Sequence, residues 1–110
     1  MKIKPILPSL KENRRYLVYE TIGNISQEEA KMALNNGIKD FIGQLGLAKA
    51  GLIHINEYKN NKGIISINNK SVDEVKMALS LIKDVNGKKV IFKCNGVSGI
   101  LNKAKDKFMG

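Results

Sequence analysis

The amino-acid sequence predicts an α+β domain, a four-stranded antiparallel sheet with helices on one face, spelled as β-α-β twice and followed by a C-terminal helix. Three observations carry this. Ser26-Gln27-Glu28-Glu29-Ala30-Lys31-Met32-Ala33-Leu34 recurs as Ser71-Val72-Asp73-Glu74-Val75-Lys76-Met77-Ala78-Leu79, with six identities in nine positions. Each copy opens with Ser-x-x-Glu, the pattern in which a hydroxyl caps one orphan backbone N–H and a carboxylate reaches back to another. Each copy also lies between β-branched and aromatic runs, which is the split βαβ, ferredoxin-like order. Duplication and convergence on one capping chemistry both account for the repeat, and the fold reading is the same under either.

Residues 1–13 read as an N-terminal arm, because Pro5 and Pro8 forbid regular helix or central strand there; residues 14–110 read as a single domain. Arg14 to Ile22 is the first strand. Leu17, Tyr19 and Thr21 point one way and Tyr16, Val18, Glu20 and Ile22 the other, so neither face is cleanly apolar and a central strand is expected. Ser26 opens the first helix, whose stripe of Ala30, Ala33, Leu34, Ile38, Phe41, Ile42 and Leu45 is expected to cover the sheet until Gly46 stops it. Leu47 to Gly51 is then a short link. Leu52 to Tyr58 follows as the second strand, with Ile53 and Ile55 on one face.

Tyr58-Lys59-Asn60-Asn61-Lys62-Gly63 reads as a hairpin loop, since consecutive Asn beside Gly tolerate positive φ. Ile64 to Asn68 is the third strand. Ser71 opens the second helix, with Val75, Ala78, Leu79 and Ile82 inward and Asn86-Gly87 closing it. Lys88 to Asn95 is the fourth strand, and Gly96-Val97-Ser98-Gly99 leads into a last helix, Ile100 to Phe108. Leu52, His54, Asn56, Tyr58, Ile64, Ser66, Asn68, Ile91, Lys93 and Asn95 would form an outward sheet face, mostly polar, that is solvated or a contact surface.

With 110 residues and 43% hydrophobic content, the chain is long enough to bury a core as one domain. Its apolar runs fall short of the ~18 residues that span a membrane, and its first residues lack the apolar region of a signal peptide, so a cytoplasmic protein with no membrane partner is expected. Cys94 and His54 are the only residues of their kinds, which rules out an internal disulfide and a zinc site of the usual Cys/His type. No metal ligands and no bound cofactor are expected. Nineteen Lys and Arg against ten Asp and Glu give a net charge of +9. That excess attracts polyanions, and by itself it fits both a nucleic-acid-binding surface and a merely basic one.

Candidate sites follow from local chemistry. Arg14 and Arg15 are the only arginines and stand side by side; guanidinium groups fork onto phosphates or carboxylates, and an exposed basic strand start is the plainer alternative. Ser98 and Gly99 precede a helix start able to hold an anion, with Lys103 one turn on, although a plain cap uses the same residues. Ile100, Leu101, Ala104 and Phe108 form a stripe expected to dock on the domain while Lys103, Lys105 and Lys107 face outward. Lys62-Gly63-Ile64-Ile65-Ser66-Ile67 begins like the third strand of an RNA-recognition motif but has none of the aromatic rings that stack bases. A lone His54 makes no relay, Glu28-Glu29 and Asp73-Glu74 are explained by helix dipoles, and Cys94 is read as a small core residue. No catalytic residue emerges.

Pro5-Ile6-Leu7-Pro8-Ser9-Leu10-Lys11-Glu12-Asn13-Arg14-Arg15-Tyr16-Leu17-Val18, Ala78-Leu79-Ser80-Leu81-Ile82 and Val97-Ser98-Gly99-Ile100-Leu101-Asn102-Lys103-Ala104 together resemble the archaeal ribonuclease P protein component 2 family. The resemblance spans essentially the whole chain. It implies a ferredoxin-like subunit of an endoribonuclease that binds ribonuclease P RNA and assists removal of 5′ leaders from precursor tRNA. Catalysis and its magnesium ions would then belong to the RNA, with precursor tRNA met indirectly. The family pairs with a larger TIM-barrel-like protein component, and self-association through the sheet side is a further implied contact. Two departures stand out: Ser66 where members often carry a basic residue, and Ile100-Leu101 after Ser-Gly where they carry threonine. On this reading RNA is held by Lys11, Arg14, Arg15, Lys93, Ser98, Gly99, Lys103, Lys105 and Lys107, while His54, Asn56, Ser66 and Asn68 meet protein. A ligand-sensing ACT-like module is the alternative; a small acylphosphatase-like enzyme lacks its phosphate-cradling loop Gly-x-Val-Gln-Gly-Val-x-Phe-Arg here.

Overall fold

A computed structural model describes residues 14–23 and 25–109; the arm assigned to residues 1–13, with Lys11, lies outside them. The elements are β1 (Arg14–Ile22), α1 (Gln27–Ala50), β2 (Ile53–Lys59), β3 (Lys62–Asn68), α2 (Val72–Leu81), two short strands β4 (Asp84–Val85) and β5 (Lys88–Lys89), β6 (Ile91–Ser98) and α3 (Leu101–Ala104), which runs into a π-helical turn at Lys105–Met109. The main sheet is antiparallel in the order β2-β3-β1-β6, the split βαβ topology with β6 as the fourth strand.

β1 is central and buried on both sides. Leu17, Tyr19 and Thr21 join Ile65, Ile67, Phe92 and the inward faces of α1 and α2 in the main core. Val18, on the opposite face, packs with Ile64, Ala104 and Met109, flanked by Tyr16, Ile55, Leu101 and Phe108. The C-terminal helix therefore covers the middle of the sheet face that the sequence leaves open to solvent. Gly96 lets it approach: a β-carbon there would stand 2.3 Å from the Phe108 ring.

Several boundaries differ from expectation, each for a local reason. α1 continues through Gly46 to Ala50, so the expected link at Leu47 to Gly51 is mostly helix, ending at Gly51 in the left-handed conformation. A non-helical Gly43 (φ 80, ψ 168) kinks it, a conformation open to glycine; Leu45 beyond the kink is exposed instead of inward, and so is Phe41 before it, at the margin of the stripe. The capping box forms at Ser26, where Glu29 N–H donates to the Ser26 hydroxyl at 3.2 Å and Ser26 N–H to the Glu29 carboxylate at 3.0 Å. It does not form at Ser71, which ends a 3-10 turn and makes no side-chain cap.

α2 stops at Leu81, and Asn86-Gly87, instead of closing the helix, forms the turn between β4 and β5. Lys88 and Lys89 thus leave the main sheet. β6 begins at Ile91 and continues to Ser98, with a bulge opposite Val18/Tyr19. The Asn60-Asn61 turn does adopt the positive φ expected of it, 55° and 62°.

β2 is the main correction of facing. Ile55 lies opposite Ile64, and residues directly paired share a face, so Ile55 packs toward the C-terminal helix and Ile53 is exposed. Leu52 and Tyr58 turn to the main core instead, where the Tyr58 hydroxyl lies 3.0 Å from Thr21 Oγ1. Ile100 is also exposed, leaving Leu101, Ala104, Phe108 and Met109 as the docked stripe.

Two stability tests follow. Phe108→Ala removes the ring that seals Gly96 and is expected to lower stability by about 2 kcal/mol, read from denaturant midpoints. The Glu29 carboxylate is held at about 2, below its ordinary 4.5, by the Ser26 N–H foremost, then Asn86 and Lys88. Its contribution is present above about pH 4.5 and is lost as pH falls toward 2. The melting-temperature gap between the native chain and Glu29→Gln is therefore expected to close on acidification.

Candidate nucleic-acid interface

Charge is distributed unevenly over the two layers. α1 and α2 carry Glu28, Glu29, Asp40, Asp73 and Glu74 against Lys31, Lys39, Lys49 and Lys76, so the helical layer has one more carboxylate than lysine in a chain of net charge +9. Residues 1–13 carry a net +2, and the remaining +8 belongs to the sheet, its connections and the C-terminal helix. Lys88, in the β4–β5 hairpin, pairs with Glu29 of α1, while the exposed lysines of the sheet face and the C-terminal helix attract a polyanion to the side opposite α1 and α2.

The predicted residues fall into three groups, of which Arg15, paired with Ile67 of the main core, lies on the helix-facing side of the sheet. Arg14 is engaged within the fold: its Nε donates to Ser66 Oγ at 2.9 Å and its Nη2 to Ser66 O at 3.0 Å and to Gly51 O. This guanidinium joins the end of α1 to β3 across the start of β1. Ser66 is its buried acceptor, 3% exposed, which makes it a poor surface contact.

Arg15 has a different environment. Its Nη1 donates to Arg14 O at 2.9 Å and stands 3.7 Å from the position a Gly99 side chain would take, so Arg15, Ser98 and Gly99 gather at one edge. Ser98 is the last residue of β6, and its hydroxyl accepts from Ile100 N–H and donates to Ile100 O, both at 3.1 Å. α3 starts only at Leu101, with Ile100 as its cap, so Ser98 and Gly99 are not the helix N-terminus the sequence suggests.

The C-terminal lysines form the third group. Lys103 and Lys107 are exposed, while Lys105 pairs with Glu57 on β2 at 3.2 Å and ties the helix to the sheet edge. Lys93 is exposed on the same sheet face, beyond the helix.

The four residues expected to meet protein do not share a surface. His54 turns toward α1, where its Nε2 lies 3.2 Å from Asn35 Oδ1; burial, with Lys31 nearby, pushes its imidazole pKa down. Its Nδ1 is buried without a partner. Asn68 accepts from Lys70 N–H at 3.0 Å and caps the 3-10 turn, and Asn56 is exposed. Burial pushes the Cys94 thiol up, against the opposing effect of Lys76. Among the described residues, no three His, Cys, Asp or Glu side chains come together as metal ligands, and no helix is long and apolar enough to cross a membrane.

Sequence reasoning missed two lysines on this face, Lys59 and Lys62. The signal was the Asn60-Asn61 turn itself, which sets the residues flanking it opposite one another.

The chain is similar throughout to proteins named ribonuclease P protein component 2. That of Thermococcus gammatolerans is 37% identical, covering 98% of this chain and 92% of the relative. The Thermococcus kodakarensis protein is 34% identical over the same shares, and that of Methanocaldococcus jannaschii 31%, covering 98% and 81%. A chain in the cryo-EM structure of yeast ribonuclease MRP has the same fold, with a TM-score of 0.66 at 15% identity, covering 81% of this chain and 76% of its own length. The model of the Rpp14/Pop5 family matches residues 15–109. From the central strand to the C-terminal turn, this chain belongs to the Rpp14/Pop5 family.

Proposed function

We propose that this chain is a protein subunit of ribonuclease P that binds the enzyme's RNA and assists removal of 5′ leaders from precursor tRNA. The observation that carries the reading is full-length similarity to proteins of that name, at 37% identity over 98% of the chain. The charge distribution supports it: Lys93, Lys103 and Lys107 are exposed on the side away from α1 and α2, and among the described residues the aromatic rings of that side, Tyr16 and Phe108, pack with the C-terminal helix instead of standing free as platforms for unstacked bases. The contacts are therefore to the phosphate backbone, which positions a structured RNA without reading its sequence.

Catalysis is assigned to the RNA, together with the magnesium it requires. Glu29 serves a cap and an ion pair, Glu57 an ion pair, and Glu28, Asp73 and Glu74 lie in first helical turns where they complement the dipole. A larger protein component is the proposed protein partner.

The experiment is reconstitution with the RNA subunit and a precursor tRNA. Lys103→Gln with Lys107→Gln is expected to weaken RNA binding and to flatten the plot of log K against log salt by about two, with an unchanged melting temperature. Arg14→Ala is expected to act first on stability, by roughly 2 kcal/mol, because it strips bonds from Ser66 and Gly51. The protein without RNA is expected to leave the precursor intact. RNA binding by the native chain that does not depend on salt would overturn the phosphate-contact reading.

A further inference from the structure

The outer face of the sheet is ordered in rows set by strand register. Ile53, Ser66, Tyr16 and Ser98 form one row, and Ile55, Ile64, Val18 and Gly96 the next, which lies under the C-terminal helix. Beyond the helix comes Lys59, Lys62, Glu20 and Lys93, one residue from each strand in the order β2-β3-β1-β6. Neighbouring strands are about 4.8 Å apart, so this row runs roughly 14 Å straight across the sheet.

Folding favours only part of the row: Glu20 lies opposite Lys62 and Lys93, a favourable placement, while Lys59 has no carboxylate opposite it. Lys59 and Lys62 are paired directly opposite each other, and like charges so placed destabilise a ladder. Glu20 sits between Lys62 and Lys93 in register, yet the ion pairs of the described residues, Lys88 with Glu29 and Lys105 with Glu57, involve none of the four. Three lysines thus stand at one end of a face whose middle is closed by packing. The repulsion between Lys59 and Lys62, and the excess of three lysines over one carboxylate, are relieved by a polyanion.

We infer that Lys59, Lys62 and Lys93 form a phosphate track across the end of the sheet, which takes the backbone of a structured RNA. The inference rests on the RNA-binding reading above and adds a second contact surface, beside the C-terminal helix and separate from Arg15. The lysines meet phosphates, and Glu20 opposes them, limiting affinity where the row crosses β1.

The test uses the full chain with Lys59→Gln, Lys62→Gln and Lys93→Gln combined, against two probes, the RNA subunit of ribonuclease P and a precursor tRNA. The triple variant is expected to bind about tenfold or more weakly at 0.15 M salt, with a salt slope reduced by about three. Its melting temperature at low salt is expected to equal or exceed that of the native chain. Glu20→Gln is expected to move affinity the other way, tightening it several-fold. Loss on one probe alone assigns the track to that RNA. Native-like affinity and slope in the triple variant, while the native chain binds RNA and the Lys103/Lys107 variant does not, overturns the track and leaves the RNA-binding reading standing. A melting temperature that falls in step with affinity, or aggregation of the variant, overturns it in favour of a structural role for lysine at the β2 edge. Failure of the native chain to bind either RNA overturns both readings.

Discussion

The rest of the structure depends on the burial of β1 from both sides. Leu17 and Tyr19 face the helices, Val18 faces the C-terminal helix, and all three are 2% exposed or less. A strand with both faces covered must receive a layer on each, so the C-terminal helix is part of the core and not an appendage. That requirement explains Gly96, where any side chain would displace Phe108, and the Lys105–Glu57 pair that anchors the helix to the sheet edge. It also explains why Ile64 is buried although it points away from α1 and α2.

Covering the middle of the outer face divides the basic surface. What remains exposed lies on the helix, as Lys103 and Lys107, and at the far end of the sheet, as Lys59 and Lys93. α1 and α2 are themselves nearly neutral, so they add little to the positive field. Arg14, the cation that local chemistry singles out most readily, stands apart from this surface because three acceptors inside the fold hold it. Its neighbour Arg15 keeps most of its guanidinium donors, which shows how one step along a strand separates an internal clamp from an available cation.

The parts of the fold readable from sequence rest on local rules. The capping box at Ser26, the positive-φ Asn60-Asn61 turn and the two-faced composition of β1 each need only a few adjacent residues to specify them. Misread elements are those where a distant contact overrides the local signal. Gly46 looks like a helix stop, yet the break in geometry falls at Gly43 and the helix resumes until Gly51, whose carbonyl accepts from Arg14. Ser71 repeats the residues of Ser26 without repeating the cap, because the 3-10 turn that Asn68 begins already sets the chain entering α2.

The sequence by itself determined the order of the main-sheet strands and helices, the split βαβ topology, the positive charge and, through its full-length resemblance, the family. These follow from periodicity, capping and turn chemistry, and from identities spread along the chain, none of which requires knowing what touches what. Only the tertiary structure decided the facing of β2, the closure of the outer sheet face and the fate of each basic side chain. Facing depends on register, and a strand flips whenever its partner's pairing demands it, as Ile55 follows Ile64. The same register that hides Ile64 lines up Lys59, Lys62 and Lys93 across separate strands, so a row of charge far apart in sequence exists only once the sheet has formed.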